Sequence, residues 1–299
     1  MIPYCKAPQR TIRGPYREIP VFSEAGHSGN IDAGVVRSFG EEWKQFHSFS
    51  EDEINRLGGM YFDILEPHLT PEMHVLDVGC GTGRWSKYLA PKVASVTAVD
   101  PGEAVLAADE VLGKLSNVRI AMASADDLPF PERSFDIVMS IGVLHHIPDT
   151  QQAMNDCVRM VKPGGYFYTY LYYNLENRGA AFRMIFALSN GLRRGISALP
   201  RGPKHAVCNL IAGVVYYPLA RGGKWLRQIG LTRIADRMPL RFYQDMSFYI
   251  MRNDALDRFG TSLEQRFSKE QVIRMMEQAG LRDIVISDKM PYWHATGIR

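Results

Sequence analysis

The sequence predicts an α/β protein built on a largely parallel sheet, and three observations carry that prediction. From Met73 onward, short β-rich runs alternate with helical patterns, as expected for strands joined by crossover helices. Residues 75–85, VLDVGCGTGRW, lead a strand directly into a glycine-rich turn and a helix start. At the far end, LRDIVISD and YWHATGIR are separated only by Lys289-Met290-Pro291. That connection is too short for a right-handed crossover, so the last two strands should form an antiparallel hairpin.

Taken in order, HVLDVG is the first strand of this alternation and RWSKYLAPK its helix. VASVTAVD is a second strand ending on Asp100, followed by the helical GEAVLAADEVLGKL. NVRIAMASA and FDIVMSIG read as the third and fourth strands. QQAMNDCVRMVKPGG reads as a helix stopped by Gly164-Gly165, and GYFYTYLYY as the fifth strand. SLEQRFSKEQVIRMMEQAG is a last amphipathic helix with Gly280 at its end. Before Thr70 lies a Pro/Gly-rich lead-in and then the helical FGEEWKQFHSFSEDEINRLGGMYFDIL. The expected organisation is a lead-in and helical cap over residues 1–70, a core over 71–173, a helical insertion over 174–255, and a final helix and hairpin over 256–299.

Composition bounds the function. With 299 residues, 46% hydrophobic and 22% charged, the chain is an ordinary globular protein. Its longest uncharged apolar run, residues 206–220, contains Asn209 and Pro218. It falls short of the roughly 18 residues that suggest a membrane span. The first residues lack the apolar centre of a secretory signal, so the expected address is cytoplasmic. Four widely spaced cysteines without a CxxC pair give neither a zinc site nor a disulfide framework, and no metal is expected. The net charge of +3 conceals an asymmetry: residues 174–255 hold 13 Arg and Lys against 4 Asp and Glu, and the remainder 22 against 28. The insertion therefore has a different electrostatic role from the rest.

The glycine turn decides the ligand class. A dinucleotide-binding turn wants G-x-G-x-x-G, but Gly79-x-Gly81 is followed by Arg84 at the third position, with Gly83 one residue early. Asp77, two residues before the first glycine, would repel a pyrophosphate and suit a cationic group. Asp100, 23 residues further on, is placed to accept ribose hydroxyls, and Asp126 or Asp127 an adenine amine. An adenosine bearing an amino acid and no phosphate fits all of these.

VLDVGCGTG, Asp100, ASADDLPFPERSFDIVMSIGVLHHIPD and VKPGG together resemble the class I S-adenosylmethionine-dependent methyltransferases that act on small molecules, the methyltransferase type 11 group. The resemblance covers about residues 73–170 plus the closing helix and hairpin. It implies a Rossmann-like seven-stranded sheet of order 3-2-1-4-5-7-6, its seventh strand antiparallel, with a helical N-terminal cap and an inserted helical lid. It implies S-adenosyl-L-methionine as cofactor, with Asp77, Gly79, Gly81 and Gly83 lining its methionine part. Asp100 would hold the ribose, Ala125 and Asp126 the adenine, and Ser140 and Ile141 the side near the sulfur. Cys80 is expected to pack and not to react.

Methyl transfer to a hydroxyl needs a base, and His145 and His146 stand just past the fourth strand, at the edge where open α/β sheets bind ligands. Such a pair resembles that of sugar and natural-product O-methyltransferases, which makes His146, with His145 second, the expected base. Tyr172, Tyr173 and Asn174 leave the fifth strand at the same edge as acceptor contacts. Trp43, Phe46, Tyr61 and Phe62 are candidates to cover the cofactor. Arg193, Arg194, Arg201 and Lys204 form a basic cluster in the insertion, suited to an anionic acceptor or to peripheral contact with a membrane. The expected acceptor is a small or lipid- or sugar-linked molecule, methylated on oxygen; nucleic acid is not expected, because no recognition module accompanies the basic residues. Two alternatives are an inactive cofactor-binding partner at a membrane surface and a nicotinamide-dependent reductase.

Overall fold

The computed structural model describes residues 1–23, 29–45, 49–176 and 179–299. The N-terminal lead-in, read as Pro/Gly-rich with no element assigned to it, contains a hairpin of β1 (Arg10–Arg13) and β2 (Glu18–Val21). Ile19 and Val21 of β2 are buried, and Val21 pairs in parallel with Met122 of β5 (Val118–Met122). The hairpin's turn is held by Asp109, fully buried on α4 (Ala104–Leu112). That carboxylate accepts the amides of Tyr16 at 2.7 Å and Arg17 at 3.1 Å and pairs with the Arg17 guanidinium at 2.9 Å. These are long-range partners that no local pattern in the lead-in signals.

The sheet accordingly has nine strands, which corrects the expected seven; its order is β1-β2-β5-β4-β3-β6-β7-β9-β8. Here β3 is His74–Val78, β4 Ser95–Asp100, β6 Phe135–Ile141, β7 Val161–Tyr170, β8 Arg282–Ile286 and β9 His294–Ile298. The run from β5 through β7 is parallel, while β9 pairs antiparallel with both β7 and β8. The apolar core around Leu76, Val138, Phe167 and Met276 is sealed by α5 (Thr150–Arg159) and α11 (Lys269–Gln278).

Two helix ends differ from the sequence reading. The helix read through VKPGG stops at Arg159, and Lys162-Pro163-Gly164-Gly165 belong to β7. Pairing with β6 outweighs the local stop signal, and the ladder shifts register there between Phe135 and Ile137. At the other end, residues 262–267 are not helical. α11 begins only after Ser268, whose side chain forms a capping box with Gln271.

Two compact units divide the chain: Met1–Asn177 with Leu263–Arg299, and Arg178–Ser262. The first includes α1 (Ala33–Gln45), α2 (Glu51–Tyr61) and α3 (Arg84–Leu89); Phe46 lies outside the described residues. The second is all helical: α6 (Ala180–Ser197), α7 (Arg201–Ile211), α8 (Tyr217–Gln228), α9 (Thr232–Ala235) and α10 (Phe248–Gly260). Within it the expected basic cluster splits. Arg193 is buried and donates to the carbonyls of Thr261 at 2.7 Å and Ser262 at 3.0 Å, so it closes the unit's own fold, while Arg194 is exposed.

Candidate cofactor and acceptor site

β3 delivers the chain into the glycine turn, and the turn is built for close approach. Gly79 has φ 77°, and a Cβ there would lie 2.5 Å from the Val143 side chain. Gly81, at φ 53°, would place a Cβ 3.1 Å from Nε1 of Trp43, so α1 lies directly over the turn. Gly83 precedes the first residue of α3, whose early amides point back toward the turn. Of the expected covering aromatics, Trp43 meets the turn, and Tyr61 packs on Trp85 and Tyr170. Phe62 is fully buried between Tyr88 and Tyr168, a core residue.

Two carboxylates sit beneath this turn. Asp77 is 1% exposed and accepts the Ser86 hydroxyl at 2.7 Å. Asp100 accepts the amide of Gly81 at 3.1 Å and that of Gly102 at 2.9 Å. Burial pushes Asp77 up to about 7, against the opposing bond from Ser86 and with a further push from the Asp100 charge. Burial likewise pushes Asp100 up to about 6, moderated by the Gly102 and Gly81 amides. Among the described residues no Lys, Arg or His forms an ion pair with either acid. A buried acid beside a half-buried one, both with neutral donors and no cation, is the complement of a cationic, hydroxyl-rich ligand, and in that respect the residues fit S-adenosylmethionine. Cys80, between the acids, is buried and its thiol is pushed well above the usual range, which leaves it inert.

The raised acids predict a pH dependence with a definite sign. A carboxyl whose pKa is higher folded than unfolded stabilises the free protein below the unfolded value, and that contribution is lost as pH rises through about 6 to 7. A cation binds the ionised form, so affinity runs the opposite way. The dissociation constant of S-adenosylmethionine should tighten about tenfold or more from about pH 5.5 to about pH 7.5, read by calorimetric titration at fixed ionic strength. Ser86→Ala should move that transition to higher pH. A flat profile would rule out the assignment of the acids to a cationic ligand.

The end of the site expected to take the adenine is closed by contacts the sequence did not signal. Asp126 accepts the hydroxyl of Ser124 and, at 2.8 Å, the amide of Asn30. Asn30 also joins the loop before α5: its Nδ2 donates to the Asp149 carbonyl at 2.7 Å and its Oδ1 accepts the Asp149 amide at 2.8 Å. One residue thus ties the lead of α1 to both loops, by its backbone amide to Asp126 and by its side chain to Asp149. Ala125 opens the 3-10 turn Ala125–Asp127, and Asp127 pairs with Lys6 at the surface. Ser140 is fully buried and its hydroxyl donates to the Val78 carbonyl at 2.9 Å, locking β6 to β3, while Ile141 ends the strand, also buried.

The histidines differ from each other. His145 is fully buried, stacked on Tyr172 at 3.9 Å, and neither ring nitrogen has a hydrogen-bond partner among the described residues. Burial first, then the charges of His146 and Arg266, hold it well below the usual imidazole range, so it stays neutral. His146 Nδ1 lies 2.7 Å from the Leu263 carbonyl. A carbonyl only accepts, so Nδ1 carries the proton and Nε2 keeps the lone pair. The non-helical segment before α11 makes this possible: Gln265 donates its amide to the His145 carbonyl at 3.0 Å and its side chain to the Ile147 carbonyl at 2.8 Å.

Strand alternation sorts the expected acceptor contacts. Tyr172 joins the histidines, and Tyr170, two residues back on the same side, stands 5.7 Å from it and 5.2 Å from Tyr61. Tyr173 points to the other side and packs with Tyr292 and Trp293, and Asn174 accepts the Glu176 amide at 3.1 Å to close a turn. The structure therefore brings together Tyr172, His145, His146, Tyr170, Tyr61 and Phe39, whose ring meets His146 edge-on at 5.0 Å.

Residues 76–169 match the family described as methyltransferase domain. The chain is 33% identical over 186 residues to the ubiquinone biosynthesis O-methyltransferase of Pseudomonas fluorescens (strain SBW25), covering 60% of this chain and 73% of that protein. It is 31% identical over 219 residues to the protein of the same name from Pseudomonas putida (strain GB-1), covering 71% and 84%. A SAM dependent methyltransferase of Aquifex aeolicus superposes with a TM-score of 0.43 at 17% identity, over 84% of this chain and 97% of that one. With relatives of this identity and coverage, the chain belongs to the class I S-adenosylmethionine-dependent methyltransferases and uses that cofactor.

Proposed function

We propose that this enzyme methylates an oxygen of a small aromatic acceptor, a phenol or quinol carrying an apolar substituent, with His146 as general base. The observation that carries the reading is the Nδ1 bond from His146 to the Leu263 carbonyl, which presents an unprotonated Nε2 among aromatic rings. The two relatives above carry O-methyltransferase in their names, which supports oxygen as the acceptor atom.

Bound S-adenosylmethionine supplies an activated, electrophilic methyl group. Asp77 and Asp100 bind and orient it as anions, and the Gly79 and Gly81 turn lets the backbone come close. The aromatic wall of Tyr61, Tyr170 and Tyr172 suits a flat ring and excludes water, which aligns the acceptor for in-line displacement. His146 Nε2 takes the hydroxyl proton as the oxygen–carbon bond forms, and the Leu263 carbonyl stabilises the resulting imidazolium through Nδ1–H. His145, buried and neutral, positions Tyr172 by stacking.

The test is a panel of acceptors followed by mass spectrometry: catechol and alkylated hydroquinones, a primary amine and a thiol of similar size. Transfer to the phenols is expected, at least about a hundredfold faster than to the amine, because the aromatic wall aligns a flat ring with its hydroxyl toward the base, whereas an alkylammonium lacks that ring. Turnover confined to nitrogen or sulfur acceptors would overturn the reading.

A further inference from the structure

The second unit turns apolar side chains outward. On α6, Met184, Leu188 and Leu192 follow one another at four-residue spacing and are 63%, 68% and 65% exposed. α7 continues through a π-helical turn, Ala212–Tyr216, into α8 as one rod. Its inward side is marked by Cys208, Ala212, Tyr216, Ala220 and Gly223, all buried. Two residues beyond three of these positions, about 200° round the helix, stand Leu210, Val214 and Trp225, each more than half exposed. A helix packed on one side ordinarily carries charge on the other; here both sides are apolar. Rows of this kind mark an interaction surface.

Charge selects the occupant. Across Arg178–Ser262 fourteen Arg and Lys stand against four Asp, and on α6 the exposed Arg183 and Arg194 bracket the apolar row. Exposed Arg233 and Arg237 follow α8. A second copy of this unit would bring the same positive charge against itself. An anionic bilayer offers apolar depth and opposite charge together. No helix among the described residues is long and apolar enough to cross a membrane, so the contact is with the surface. We propose that the helical unit Arg178–Ser262 docks on anionic lipid bilayers, with Met184, Leu188, Leu192, Leu210, Val214 and Trp225 entering the headgroup–acyl boundary and the flanking arginines on the lipid phosphates.

The test uses the full chain and needs no acceptor or turnover, so its outcome is independent of the proposed reaction. Sedimentation with phosphatidylglycerol–phosphatidylcholine vesicles should carry down most of the protein, with pure phosphatidylcholine vesicles retaining at least about tenfold less and about 0.5 M salt releasing it. Anionic vesicles should shift tryptophan emission to the blue, and Trp225→Phe should remove that shift although Trp43, Trp85 and Trp293 remain. Leu188→Glu with Val214→Glu should reduce sedimentation at least about tenfold while S-adenosylhomocysteine binding is unchanged, which shows that the variant is folded. Protein left in the supernatant of anionic vesicles, equal binding to neutral vesicles, or a dimer in light scattering that the double variant dissolves would each overturn the proposal, the last in favour of a second copy.

Discussion

Asp100→Asn should abolish useful cofactor binding, weakening S-adenosylhomocysteine by on the order of a hundredfold in calorimetric titration. The carboxylate is held by the Gly81 and Gly102 amides at 3.1 and 2.9 Å, so its position is fixed before any ligand arrives. Asparagine keeps one acceptor oxygen but turns an amide toward a donor, and it removes the charge that two ligand hydroxyls would share. The free variant should stay folded and melt only slightly lower than the wild type, because a carboxyl already raised to about 6 by burial gives up little when it becomes neutral and only one backbone amide loses its acceptor. This combination, lost binding with retained stability, separates a ligand contact from a structural one. A variant that S-adenosylhomocysteine still stabilises as much as the wild type would show that Asp100 does not hold the cofactor.

His146→Gln should lower kcat by about 10²- to 10⁴-fold toward a phenol, with S-adenosylhomocysteine affinity changed less than about twofold. Glutamine can still donate to the Leu263 carbonyl, so the loop keeps its tie while the basic nitrogen is lost. The loss should shrink for a more acidic phenol, which needs no base. His145→Phe is the companion variant. Phenylalanine can stack on Tyr172 as the neutral imidazole does at 3.9 Å, so activity should stay within about fivefold of the wild type. If His146→Gln kept more than a tenth of kcat, or if His145→Phe lost as much as His146→Gln, the base would have to be sought elsewhere.

Much of the core was legible because its signals are local. The turn at Gly79, Gly81 and Gly83 announces itself by the positive φ that glycine tolerates, and Asp100 by its place at the end of an apolar run. Antiparallel β9 follows from a connection too short to cross over. What escaped depends on distant partners. β1 and β2 are held by Asp109 and Met122, about a hundred residues away, and four-residue strands carry little periodicity of their own. The extended segment around Gln265 read as helix because SLEQRFS has helical composition, yet its amide and side chain bind carbonyls of the His145 loop.

The division between the two histidines shows the same limit. By itself the sequence determined that a strand would run into a glycine turn flanked by spaced acids, because each of those devices is written in a few adjacent residues. It also determined that two imidazoles would stand at the sheet's carboxyl edge. Only the tertiary structure decided that His146 has a carbonyl fixing its proton on Nδ1 while His145 is enclosed and neutral, that Tyr172 and not Tyr173 joins them, and that Arg193 lies inside its unit with leucines outside. Protonation, side-chain direction and burial depend on the field and packing of residues brought together from across the chain, and no neighbouring letters encode them.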